Sequence, residues 1–260
     1  NIFLLKFVIL SLIFSSCEEE EEMVINTATA RVQVIHNSAD LAAASVDIYL
    51  NNTLLIDDFN FRTASPFIDA PAGEEITISV APSTSMSSSQ ALASFNYTLE
   101  ENATYILVAN GVVSPVGYSP IKNFSIEVYA MGREIANNAS NTDLLVLHGS
   151  TDAPTVDVVE TGVGAGTIID NASYGDFAGY LELATADYTL EIRDESGQTT
   201  VASYGAPLSS LNLMGTSAVV VASGFLNPSN NSNGEAFGLF VALPSGGDLV
   251  ALPASKTANF

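Results

Sequence analysis

The chain repeats itself, and its only two histidines mark the same place in both copies. The first copy runs Val32-Gln33-Val34-Ile35-His36-Asn37-Ser38-Ala39-Asp40 and continues to Val46-Asp47-Ile48. The second runs Leu144-Leu145-Val146-Leu147-His148-Gly149-Ser150-Thr151-Asp152 and continues to Val156-Asp157-Val158. Downstream, 188–192 matches 76–80, 217–224 matches 104–111, and 174–180 matches 61–67 with an aromatic at each end of both segments. A self-similar period of this length means one supersecondary unit or small domain folded twice. It also bears on function, because a residue set kept in both copies is better explained by the fold than by a single reaction centre.

From Ala28 onward, short apolar runs are punctuated by Gly, Pro, Asn, Asp and Ser, with no sustained helical periodicity, which predicts an all-β chain. Residues 31–34, 46–50 and 76–80 alternate apolar and polar with period two, and 105–108 and 126–129 add further strands. Asn51-Asn52 between two apolar runs predicts a tight hairpin turn. About seven strands per copy cannot bury a face as one flat sheet, so each copy is expected to be a two-sheet sandwich, immunoglobulin-like or transthyretin-like. The expected division is a first sandwich over 28–131, a linker rich in Asn and Ala over 132–142, and a second sandwich over 143–255. Residues 227–234, Asn-Pro-Ser-Asn-Asn-Ser-Asn-Gly, form a polar insertion expected as an exposed loop, where binding would be sought first.

The N-terminal segment carries an address. Lys6 precedes an apolar stretch over 7–14, too short for a comfortable membrane span, and Ser15, Ser16 and the single cysteine Cys17 follow. This resembles a bacterial lipoprotein signal over 1–16, with Phe14 standing where Leu is usual, and implies that Cys17 becomes the lipidated first residue. Several acyl chains, each contributing about 0.8 kcal/mol per buried CH₂, would then hold the protein on a membrane. Glu18, Glu19, Glu20, Glu21 and Glu22 come next, within an acidic tether over 17–27. That run resembles the export signal carrying lipoproteins of Bacteroidota to the outer face of the outer membrane; read by charge alone it is a solvated spacer. Lone Cys17 leaves no disulfide and no cysteine zinc site.

Lys+Arg total 7 against Asp+Glu 29, a formal charge of -22, which repels phosphate backbones and excludes nucleic acid as a partner. With 47% hydrophobic and only 14% charged residues, the chain nonetheless has the apolar content to fold.

A strand ending in His-x-Ser-x-Asp is followed by Val-Asp at the next strand, by the aromatic-bounded Ala64-Ser65-Pro66-Phe67, and by Pro71-Ala72-Gly73 before an alternating strand. This order resembles the domain-of-unknown-function 4397 family, in two copies. The second copy departs at Ala178-Gly179-Tyr180 and at Ala186, which stands where Gly73 stands. The resemblance implies secreted or surface-anchored bacterial β-sandwich domains and no known reaction.

The candidate chemistry rests on His36, Ser38, Asp40 and Asp47, and on His148, Ser150, Asp152 and Asp157. His36 is in phase with Val32 and Val34, and His148 with Leu144 and Val146, so both imidazoles are expected to face the core and bond local polar groups. Ser and Asp just after a strand are common turn formers. No Gly-x-Ser-x-Gly elbow accompanies the serines, and no EF-hand pattern gathers the carboxylates. Surface calcium stays open, with no other cofactor expected. Among aromatics, Tyr97, Tyr118, Tyr174 and Tyr204 are candidates for a sugar platform, although core packing is the plainer reading and Trp is lacking. The expectation is a non-enzymatic surface lipoprotein that binds a protein or glycan partner or acts as a spacer. The alternative is a hydrolase or metal-dependent enzyme using one repeat histidine, which should have kept its site in one copy and lost it in the other.

Overall fold

The short apolar runs become strands throughout residues 28–256, the part of the chain described by the computed structural model, and no α-helix interrupts them there. The first copy holds β1 (Thr29–His36), β2 (Ser45–Leu50), β3 (Thr53–Asn60), β4 (Thr63–Ala64), β5 (Ile68–Pro71), β6 (Glu75–Pro82), β7 (Ala93–Thr98), β8 (Thr104–Asn110) and β9 (Ser125–Tyr129). The second holds β10 (Asn141–His148), β11 (Val156–Glu160), β12 (Gly166–Ala172), β13 (Phe177–Ala184), β14 (Asp187–Asp194), β15 (Thr200–Pro207), β16 (Ser217–Ser223), β17 (Gly238–Ala242), β18 (Gly247–Asp248), β19 (Val250–Ala251) and β20 (Ala254–Lys256). Asn51, at φ +55°, makes the tight turn between β2 and β3.

Each copy is a sandwich of two sheets. In the first, β3-β2-β6-β7 faces β4-β1-β8-β9, with β5 also on β1; in the second, β12-β11-β14-β15-β20 faces β13-β10-β16-β17-β19. The opening strand of each copy is interior and pairs in parallel, β1 with β8 and β10 with β16, placing His36 beside Ala109 and His148 beside Ala222. An immunoglobulin sandwich keeps its first strand at a sheet edge. The arrangement therefore departs from the immunoglobulin order.

Strands that alternate in sequence send their apolar side chains to one face: Ile76, Ile78 and Val80 enter the first core, while on the other face Thr77 is half-exposed and Ser79 buried. The parallel central strands bury both. Tyr105 and Leu107 join the first core, whereas Ile106 and Val108 leave through the other face of their sheet. There they meet Leu145 and Leu147 of β10 and Val219 and Val221 of β16 in a third core between the copies. The molecule is thus four sheets deep, and each such side chain withdrawn from water contributes about 1.5–3 kcal/mol.

The segment between the copies, expected as a linker over 132–142, is tied to both by side-chain bonds. Asn141 and Thr142 already belong to β10; Arg133 bonds Asp143 and Glu182 at 2.7 Å, and Glu134 holds Arg31 at 2.8 Å. Residues 247–248, expected in the second sandwich, instead pair as β18 with β4 of the first. The stacking explains this, because chain leaving the second sheet passes beside β4, an edge whose backbone groups would otherwise be unpaired.

Candidate functional site

β1 and β10 deliver the two histidines at their last residue, facing the sandwich interiors as their phase predicts. His36 is fully buried, and its Nε2 donates to the Ala43 carbonyl at 2.7 Å, so Nδ1 is the accepting nitrogen and takes the Ser38 N–H at 3.3 Å. Phe59 and Phe61 cover the ring at 5.9 and 6.1 Å between centroids. Burial lowers the pKa of His36 to about 4 against the opposing pull of the Ala43 bond. His148 likewise donates from Nε2 to the Pro154 carbonyl at 3.0 Å, and burial lowers its pKa as well. Its Nδ1 is buried without a partner.

The serines close an identical turn. Ser38 Oγ donates to the Gly111 carbonyl and Ser150 Oγ to the Gly224 carbonyl, both at 2.7 Å. Gly111 and Gly224 follow the parallel partner strands at φ +80° and +84°, where a side chain would strike the carbonyls of Asn123 and Ala236. The aspartates behave the same way. Asp40 accepts from the Ala42 and Ser114 amides and the Ser114 and Tyr118 hydroxyls; burial alone would raise its pKa, and these bonds outweigh it and hold the carboxyl below its usual value. Asp152 accepts from the Leu226 and Asn227 amides at 2.9 Å and from Asn231 Nδ2 at 3.0 Å. Asp47 and Asp157 accept the amides of Asp58 and Asn171, which sit at φ +51° and +54° in the neighbouring strand or at its bulge. Neither serine hydroxyl is bonded to an imidazole.

The two constellations meet across the joint. Asn37 Nδ2 donates to the Gly149 carbonyl at 3.2 Å, Tyr118 packs on Phe225 at 5.6 Å, and Ser119 N–H donates to Asn231 Oδ1 at 2.9 Å. The insertion over 227–234, expected as an exposed loop, is therefore partly docked, and Asn231 is fully buried. Asn231 is anchored because it answers Asp152 and the first copy at once.

Sequence reasoning missed two residues. Arg62 bridges the copies: its guanidinium donates to Ser223 Oγ and the Ser223 and Ala236 carbonyls and lies 3.9 Å from the Phe240 ring centre. Burial lowers its pKa to about 10 despite Glu235. A lone Arg after an aromatic, in a chain with so few cations, was the available signal. Glu160 is buried and accepts the amides of Gly162, Val163, Ala165 and Thr189, organising a glycine-rich turn. Against burial, these amides lower its pKa.

Three carboxylates of the first copy, Asp47, Asp57 and Asp58, have oxygens within 4.8 Å of one another. Asp47 spends both its oxygens on the Asp58 amide and Ser85 Oγ, and the second copy replaces Asp58 with Asn171 at the same position. None of the four tyrosines is an exposed platform: Tyr118 and Tyr204 are buried, Tyr97 and Tyr174 half-buried. Cys17 and Glu18, Glu19, Glu20, Glu21 and Glu22 lie outside the described residues. Among the described residues no helix is long and apolar enough to cross a membrane.

The family model described as "Domain of unknown function (DUF4397)" matches residues 30–133 and again 142–228. No curated protein matches the chain. Similar solved structures include a streptococcal virulence factor described in alpha-glucan binding, at 7% identity over 74% of this chain and 92% of that one, TM-score 0.24. A family 41 carbohydrate-binding module from streptococcal virulence factors aligns at 10% identity over 74% and 93%, TM-score 0.23. A candidate adhesin of Bacteroides ovatus aligns at 9% identity over 88% and 96%, TM-score 0.25. Superpositions this loose carry no ligand or activity from those proteins to this chain.

Proposed function

The chain belongs to the DUF4397 family, in two copies, and from that premise we propose a non-enzymatic lipoprotein that presents two stacked sandwiches at a bacterial outer surface to bind a protein or glycan partner. The observation that carries the reading is the matched use of the repeat residues. His36, Ser38, Asp40 and Asp47 make bonds to backbone groups that His148, Ser150, Asp152 and Asp157 repeat in kind. A catalytic histidine would need a nitrogen within reach of a nucleophile; Ser38 and Ser150 instead give their hydroxyls to the Gly111 and Gly224 carbonyls, and the one ring nitrogen without a partner, Nδ1 of His148, is buried. The proposal includes no resident cofactor and no nucleic-acid partner, and places the lipid on Cys17 with the acidic run as its export signal.

The test uses intact cells, with surface crosslinking followed by identification of captured proteins and glycans. Wild type and the double variant His36→Gln/His148→Gln should capture the same partner, whereas Cys17→Ala should leave the protease-accessible surface. Turnover of an ester or glycoside that disappears in His36→Gln or His148→Gln would replace this reading with the enzymatic one.

A further inference from the structure

The second copy carries two hydroxyls that the first does without. Thr151 stands where the first copy has Ala39, and Tyr174 where it has Phe61. The fold uses neither: Thr151 Oγ1 and Tyr174 Oη are both buried, and neither has a hydrogen-bond partner. Thr151 as a whole is only 6% exposed. A buried hydroxyl left unpaired is costly, and the first copy makes the same turns without one, so packing accounts for neither group.

Both residues border one cleft of about 390 Å³, inside the range of about 300–1,000 Å³ usual for small-molecule sites. The cleft lies across the joint: Lys122 comes from the β8–β9 loop of the first copy, and Thr151, Asp152, Thr155, Ser173 and Tyr174 come from the second. The Lys122 ammonium lies over the Tyr174 ring, 5.4 Å from its centre. Among the described residues the other cations are engaged, Arg31, Arg62, Arg133 and Arg193 by carboxylates and Lys256 by the Thr200 carbonyl. Lys122 is exposed and has no oxygen partner, so it is free to swing off the ring. Asp152 brings one negative charge to the same wall, with its oxygens held by Leu226, Asn227 and Asn231. The lining therefore combines hydroxyls, one charge of each sign and a half-buried aromatic ring. That set offers donors and acceptors to a polyol and no uniform charge to an ion.

We infer that the cleft between the copies holds one residue of a neutral sugar, whose hydroxyls pair with Thr151 Oγ1 and Tyr174 Oη once Lys122 has moved aside. The inference rests on the glycan form of the proposed function and gives that partner a place on the molecule.

Saturation-transfer NMR on the full chain carrying Cys17→Ala tests this with the methyl pyranosides of glucose, galactose, mannose and N-acetylglucosamine, and with methyl glucuronide as the anionic comparator. The expected result is saturable binding of at least one neutral glycoside, with methyl glucuronide about tenfold weaker or more. Thr151→Ala/Tyr174→Phe restores the first copy's residues at both positions. It should weaken the bound glycoside about tenfold or more while melting no lower than the parent, because it removes only unpaired hydroxyls. A lower melting temperature would show that the fold uses those hydroxyls, and overturns the premise. No saturable binding by any of these glycosides, or unchanged affinity in the double variant, overturns the site. Neither result touches the surface reading, which stands or falls on whether crosslinking on cells captures a glycan. Tighter binding of methyl glucuronide than of every neutral glycoside overturns the choice of a neutral sugar.

Discussion

His36 and His148 hold their places by being neutral. Each donates one N–H to a carbonyl seven or six residues on, and burial keeps each from taking a second proton. The unfolded chain has no such restraint, so between the folded value of about 4 and the ordinary 6.5 the unfolded state binds more protons than the native one. Stability therefore rises with pH through that window and is lost on acidification. For His36 the loss from pH 7 to pH 5 should be roughly 2 kcal/mol, with His148 acting in the same direction. The depressed carboxylate Asp40 loses its contribution only at lower pH, below its ordinary value of 3.8, which keeps the two effects apart. Urea unfolding of wild type and His36→Gln at pH 7 and pH 5 checks this. The variant should show a smaller pH dependence, and an unchanged one would mean the imidazole is not held neutral.

At the scale of the element, each parallel strand needs an abrupt exit, and the serine–glycine pair makes it. Gly111 and Gly224 take left-handed backbone at the strand end, in contact with carbonyls of the returning loop, and present their own carbonyls to Ser38 and Ser150. Gly73 has the same sign of φ, +78°, but open space where a Cβ would lie. The expected consequence is graded. Gly73→Ala should cost about 1 kcal/mol from backbone strain alone, and Gly111→Ala at least twice that because the Asn123 carbonyl must also move. Equilibrium unfolding of the two variants measures the difference; equal costs would show that the close approach at Gly111 relaxes freely.

Over the whole molecule, the third core makes the copies depend on each other. Leu145 and Leu147 are fully buried against Ile35, Ile106 and Val108 of the other copy, and Arg62 and β18 cross the same joint. A chain of two independent beads would melt in two steps. Here a single calorimetric transition is expected, and Leu147→Ala should lower that one transition by about 2–5 kcal/mol at its midpoint. Two resolved transitions, with only one moved by the substitution, would contradict a shared core.

The duplication, the all-β character, the hairpin at Asn51 and the inward phase of both histidines were legible in the sequence, because each rests on local spacing: period two along a strand, turn formers between runs, and a repeat that aligns with itself. The stacking of the copies had a faint local trace. The unbroken apolar run Leu144-Leu145-Val146-Leu147 signals burial on both faces, unlike the alternating Ile76-Thr77-Ile78-Ser79-Val80, but the run does not say what covers the second face. Arg62 on Ser223, Asn231 beside Asp152, and β18 on the first copy's edge join residues far apart in the chain, and no local pattern encodes such partners.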